Sequence, residues 1–195
     1  MPPKAKFTRE EIIEAAFQIA RTQGYDKITA RELGKQLQSS ARPIFTVFEN
    51  MEEVKAAVID RAKEVYGQYV ADGLKQELAF KGVGMAYIKF SMKEPLLFQL
   101  LFMSAVPGDM SVESILPQID ASYEDILQSV QKYVDSREAA DMIYQHLWTY
   151  THGIATMCAT GLCSYSAEQI GERLTQIFTG LMMLEKGAKK DHDKD

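Results

Sequence analysis

Four groups of residues in this chain carry side chains whose types and spacing could do chemistry. The stretch from Thr29 to Phe48, TARELGKQLQSSARPIFTVF, sets Arg31, Lys35 and Arg42 among hydroxyl residues with Glu32 as the one acid. Such a strip is suited to phosphate oxygens and base edges. Trp148, His152 and Gly153 form a W-x-x-x-H-G run, with indole and imidazole one helical turn apart on one face. That is either a pocket wall with a polar handle or a core histidine bonded to a carbonyl. Cys158 and Cys163 do not make a disulfide framework. Five apart on a helix they would not share a face, and they are expected as reduced, buried thiols. Glu124-Asp125 reads as a solvated carboxylate pair rather than an acid–base couple. His146 is six positions from His152 and off its face, so a helical histidine pair for a metal is not supported. There is no Ser/His/Asp order with a nucleophile turn, no metal-spaced His/Cys/Glu set and no Gly-rich phosphate loop. No catalytic residue, metal or cofactor is expected, and an enzyme has no residue to stand on.

The elements that must position the basic strip are short helices. Thr29 with Glu32 three residues on is a capping box, and Ile28 can staple against Leu33. Leu33 and Leu37 lie on one face and Arg31 and Lys35 on the other. Gln38 and Ser39 supply a turn, Ser40 caps a second helix, and Pro43 falls in its first turn, where a missing N–H is harmless. Ile44, Val47 and Phe48 then form the buried stripe, leaving Ala41, Arg42, Phe45 and Thr46 outward. Ahead of this unit, Thr8 with Glu11 starts a helix whose stripe Ile12, Ile13, Ala16, Phe17 and Ala20 ends at Gly24. Arg9 is expected to be solvated.

The stretch from about Phe7 to Val58 resembles the N-terminal domain of the tetracycline-repressor (TetR) family of bacterial transcription regulators. The resemblance is carried by TREEIIEAAFQIARTQGYDKITARELGKQL and by Ser40, Ile44, Phe48 and Val54 at the family spacing. Four positions depart from it: Gly34 stands for a small Ala, Gln38 for a turn Gly, Phe45 for a Tyr and Met51 for a Lys. The last two lose a hydroxyl donor and a positive charge that the family uses on phosphates. The resemblance implies a helix-turn-helix reader of a double-stranded DNA operator. Arg42 and Thr46 would be at base edges, and Thr29, Arg31, Ser39, Ser40, Ala41, Pro43 and Phe45 would be beside the duplex.

Past Asn50, a cap for the next helix, Val54, Ala57, Val58, Ala62, Val65, Tyr66 and Tyr69 keep a helical period to about Leu74. GMAYIKFSMKEPLLFQLLFMSAVPG reads as a helix broken at Pro95, a second short helix and a stop at Pro107-Gly108. One helix is expected from near Pro117 to Val134. Asp135 with Glu138 and Ser166 with Gln169 start the last two, about Arg137 to Thr160 and Ala167 to Lys186. Their apolar stripes are Ile143, Leu147 and Ile154, then Ile170, Leu174, Ile177, Phe178 and Leu181. By the same resemblance these eight residues form a homodimer interface. Tyr87, Phe90, Phe98, Phe102, Met103, Trp148 and His152 line the site of a small hydrophobic or aromatic effector. The same aromatics alone fit a packed core equally well.

With no period-2 segment, the expected architecture is all-α with about nine helices. It comprises an N-terminal three-helix helix-turn-helix domain (1–50), a linking helix (51–74), a C-terminal helical ligand-binding and dimerisation domain (75–186) and a solvated tail (187–195). The 195 residues are 46% apolar and 25% charged with net charge −5, an ordinary globular composition. Residues 1–60 hold nine basic and nine acidic side chains, so the acidity lies C-terminal to them. The strip 29–48 keeps a net +2, a weak electrostatic footprint that implies a shallow salt dependence. No apolar run approaches the roughly 20 residues of a membrane span, and MPPKAKF lacks the apolar core of a signal peptide. A cytoplasmic protein without membrane contact is expected.

Overall fold

The computed structural model describes residues 6–104, 111–119 and 122–192, and among them every regular element is helical. The helices are α1 (Arg9–Gln23), α2 (Ala30–Gln36), α3 (Met51–Leu74), α4 (Ala79–Lys93), α5 (Pro95–Phe102), α6 (Val112–Ile119), α7 (Tyr123–Gln131), α8 (Arg137–Ala159) and α9 (Ala167–His192). Short 3-10 turns lie at Tyr25–Lys27 and Ile44–Thr46. None of the helices described is long and apolar enough to cross a membrane.

The starts of these helices follow from side-chain caps. The Thr8 hydroxyl accepts from Glu11 N at 3.1 Å while the Glu11 carboxylate accepts from Thr8 N at 2.8 Å. Ser166 and Gln169 repeat the reciprocal pair at 3.2 and 2.9 Å, and Asn50 Oδ1 accepts from Glu53 N at 2.9 Å. Each satisfies backbone donors that the first helical turn cannot. The cap of α8 is Ser136, not Asp135: its hydroxyl accepts from Ala139 N at 3.1 Å. The expected helix from Pro117 to Val134 is two, because α6 ends at Ile119 and α7 begins at Tyr123, with Pro117 inside α6. α9 continues past Gly187 to His192, where a solvated tail was expected. The stop at Pro107-Gly108 lies outside the described residues.

The chain divides into two compact units, one made of the residues up to Tyr66 with Glu94–Ser104, the other of Gly67–Lys93 and the residues after Ser104. The first takes in more than the 1–50 of the sequence reading. Its core holds Ile12, Phe17, Leu33, Ile44, Phe48, Val54, Val58 and Leu97, each worth about 1.5–3 kcal/mol on burial. α5 packs against α1, and the two are clamped by charge. Arg21 donates from Nε to Glu94 Oε2 at 2.7 Å and through Nη2 to Oε1, and the Glu94 side chain is only 7% exposed. Glu94 is the residue before Pro95, where proline has removed a backbone donor and ended α4.

In the second unit α4 packs mainly on α8, and also on α7 and α9. The end of α3 and the start of α4 touch backbone to backbone: a Cβ on Gly82 would lie 2.2 Å from Gly73 O. The apolar stripes of α8 and α9 face this unit's own core. Ile143, Leu147, Ile154, Ile170 and Leu174 are buried, and Ile177, Phe178 and Leu181 are half-buried. The Phe178 ring sits 4.2 Å from that of Phe80 and 5.6 Å from that of Tyr133. Five of the eight residues expected between protomers are therefore covered by their own chain. Period identifies a buried face but not what covers it.

Candidate nucleic-acid interface

The basic strip is held by a turn whose geometry is set residue by residue. Thr29 caps α2, its Oγ1 accepting from Glu32 N at 3.2 Å. The Glu32 carboxylate sits 3.7 Å from Lys35 Nζ. α2 ends in a Schellman arrangement: Gln38 N donates to Lys35 O at 3.0 Å and Ser39 N to Gly34 O at 2.8 Å. That places Gln38 in the left-handed region, φ 49°, which costs a residue with a Cβ on the order of 1 kcal/mol. The returning chain passes so close to Gly34 that a Cβ there would lie 3.0 Å from Ser39 O and 3.2 Å from Ala41 N. A glycine thus stands where the family resemblance suggests alanine because the turn is tight.

Beyond the turn the structure departs from the expected helix. Residues 41–48 form 3-10 bonds, Ile44 N to Ala41 O at 3.1 Å, Thr46 N to Pro43 O at 3.2 Å and Val47 N to Ile44 O at 3.1 Å. Phe48 N closes one α-type bond to Ile44 O at 3.0 Å. Ser40 is exposed and makes no helix cap. Burial of Ile44 and Phe48 in the core holds the segment instead.

Arg42 is exposed and forms no ion pair among the described residues, and Phe45 is 46% exposed. Thr46 is exposed, and its hydroxyl donates to Pro43 O at 2.7 Å. Arg31 and Lys35 are exposed on α2, while Ala41 and Pro43 are half-buried against the unit. Ser39 is half-buried and accepts a bond of 2.9 Å from Lys6 Nζ. From sequence Lys6 is open between a place near the DNA backbone and plain solvation, since the basic N-terminal stretch carries no periodic signal. Its ammonium adds a further positive charge to this surface. Arg9 is exposed, as expected, and its Nη1 bonds Glu53 Oε1 at 2.8 Å while the guanidinium lies 4.2 Å from the Phe48 ring centre. Glu53 is held below the usual carboxylate range by the Glu49 backbone N–H and by Arg9. Met51 opens α3 half-buried.

The residues expected around an effector fall in both units. Phe98, Phe102 and Met103 belong to the first unit, where Phe98 is buried and Phe102 packs edge-on against Tyr66 at 4.9 Å. Met103 is exposed. Tyr87, Phe90, Trp148 and His152 belong to the second, where the Tyr87 hydroxyl bonds His152 Nδ1 at 2.9 Å and the Trp148 indole stacks on the imidazole at 4.8 Å and 11°. The Nδ1 partner of the histidine is thus a phenol, and burial holds the His152 pKa below its ordinary value. A cleft of about 240 Å³ in this unit is lined by other residues, among them Met85, Lys89, Met92 and Ile170. The Glu124 carboxylate is exposed, as expected, and pairs with Arg137 through bonds of 2.7 and 3.1 Å. Among the described residues no three His, Cys, Asp or Glu side chains are grouped to hold a metal.

No curated protein sequence matches the chain. Its fold is shared with solved structures at low identity. A TetR transcriptional regulator from Streptomyces coelicolor superposes with a TM-score of 0.64 at 18% identity, covering 92% of this chain and 99% of that one. A TetR-like regulator from Rhodococcus sp. RHA1 gives 0.58 at 12%, covering 87% and 92%. A fatty acid degradation regulator from Bacillus halodurans gives 0.50 at 14%, covering 89% and 93%. Residues 80–181, more than half of the chain, match the family described as the tetracyclin repressor-like C-terminal domain. The part of the sequence that carried the resemblance and the part that matches the family are different halves of one chain, and together with the fold they make it a member of the TetR family of transcriptional regulators.

Proposed function

We propose that this protein is a ligand-responsive repressor that binds a near-palindromic DNA operator as a homodimer and is released by a small hydrophobic or aromatic effector. The observation that carries the reading is the segment 41–48: Ile44 and Phe48 anchor it in the core while Arg42 and Phe45 stand outward, in a unit that also exposes Lys6, Arg31 and Lys35. Arg42 and Thr46 are the proposed base-edge residues. Lys6, Arg31 and Lys35 face phosphates, with Thr29, Ser39 and Ser40 near the backbone. Phe45 has no hydroxyl for a phosphate, and its exposed ring suits a thymine methyl.

A homodimer would use the faces of α8 and α9 turned away from their own core. Met183 and Leu184 of α9 are exposed at 68% and 71%, and nothing lies within 4 Å of a Cβ built on Gly153 or Gly180, so a partner helix can approach closely. Two such protomers would set their reading segments one DNA turn apart, roughly 34–36 Å. The Tyr87–His152–Trp148 group is the proposed polar handle of the effector site.

Selection of bound fragments from genomic DNA at about 50 mM salt tests the reading. An enriched palindrome is expected, and Arg42→Ala should weaken that sequence selectively by about 1–3 kcal/mol. The exposed apolar Phe45 and the loss of a lysine at Met51 favour one rival, a helical module that binds protein or sequesters ligand with weakened DNA binding. Absence of any enriched sequence would establish that rival.

A further inference from the structure

We propose that Cys158 and Cys163 are a peroxide-responsive thiol pair that closes an intramolecular disulfide at the C-terminal end of α8. α8 stops at Ala159, and Gly161, at φ 72°, reverses the chain. Leu162 N and Cys163 N then both reach back to Met157 O, at 3.0 and 3.3 Å. Had the helix run on, the two cysteines would have pointed to different faces. The reversal instead returns Cys163 beside the last turn, where its side chain and that of Cys158 are within hydrogen-bonding reach of each other. Both thiols are free and half-exposed, so a small oxidant can reach them.

The surroundings distinguish the two sulfurs. Burial, reinforced by the neighbouring Cys163, pushes the Cys158 thiol up, so Cys158 is kept protonated. Cys163 has Tyr165 and Arg173 as neighbours, and the Arg173 guanidinium lies 4.9 Å from the Tyr165 ring centre. Cys163 attacks first: its sulfur forms a bond to one peroxide oxygen, the O–O bond breaks, and water leaves. The Cys158 thiol then displaces the hydroxyl from the Cys163 sulfenic acid, forming the S–S bond and a second water. Two thiols lose two electrons and two protons to one hydrogen peroxide. The disulfide ties the end of α8 to the segment leading into α9. Neither DNA nor effector is involved, so the inference stands apart from the proposed function.

Hydrogen peroxide at one to a few equivalents on the full chain, followed by alkylation and mass analysis, tests it. Trypsin leaves both cysteines on one peptide, residues 138–173. The expected product is that peptide two hydrogens lighter and unalkylated, with the chain at monomer mass on a non-reducing gel. Cys158→Ser should stop at an oxygen adduct on Cys163, and Cys163→Ser should lose its remaining thiol about tenfold more slowly. Both thiols still open to alkylation, a chain-to-chain disulfide, or peptides carrying several added oxygens would overturn the pair. Equal rates for the two single variants would overturn the roles.

Discussion

The Arg21–Glu94 clamp makes the sharpest prediction about the reading unit. Replacing Arg21 with Met keeps the apolar stem of the side chain and removes the guanidinium, so Glu94 is left with its carboxylate almost fully out of water. Breaking a fully buried pair costs about 3–5 kcal/mol. The Arg21 side chain is 42% exposed, and water and salt screen that end, so about 2 kcal/mol is expected. For a chain of this size that lowers the unfolding midpoint by roughly 4–8 °C. Thermal unfolding of R21M, E94L and R21M/E94L forms a double-mutant cycle. The double variant should lose less than the sum of the singles, because an apolar pair leaves no stranded charge. A loss below about 0.5 kcal/mol in R21M, or strict additivity, would refute the claim that this ion pair holds α5 on α1.

Gly82→Ala puts a methyl 2.2 Å from Gly73 O, so α3 and α4 must part there. Equilibrium denaturation should show a loss of about 2–3 kcal/mol, and a neutral result would mean the crossing is looser than described. Gln38→Gly relieves a left-handed residue but adds unfolded-state freedom, so a gain of roughly 0.5 kcal/mol or less is expected, while Gln38→Val should cost more than 1 kcal/mol. His152 has a folded-state pKa depressed below 6.5 by burial. The unfolded chain therefore binds the proton first as pH falls. The stability this histidine contributes is complete above 6.5 and is lost as pH drops through its folded pKa. Melting between pH 7.5 and 5 should show that decline, and His152→Gln should flatten part of it. An unchanged slope would sink the assignment.

Much of the fold was legible because it rests on local chemistry. Thr8, Asn50 and Ser166 cap helices by bonds within four residues, and Pro95, lacking an N–H, ends one helix and opens the next. The stripe Ile44–Phe48 also predicted its own burial, though not that the segment would be a 3-10 turn. The sequence alone determined the all-α class, the capped starts, the basic strip and the absence of catalytic spacing, since each is a matter of residue type at short range. Only the tertiary structure decided that the α8 stripe and the first part of the α9 stripe bury inside their own chain, that Arg9 pairs with Glu53 while Lys6 bonds Ser39, and that Cys163 returns beside the last turn of α8. Those outcomes depend on which surfaces meet, and residues far apart in the chain make that choice through packing that no local period records.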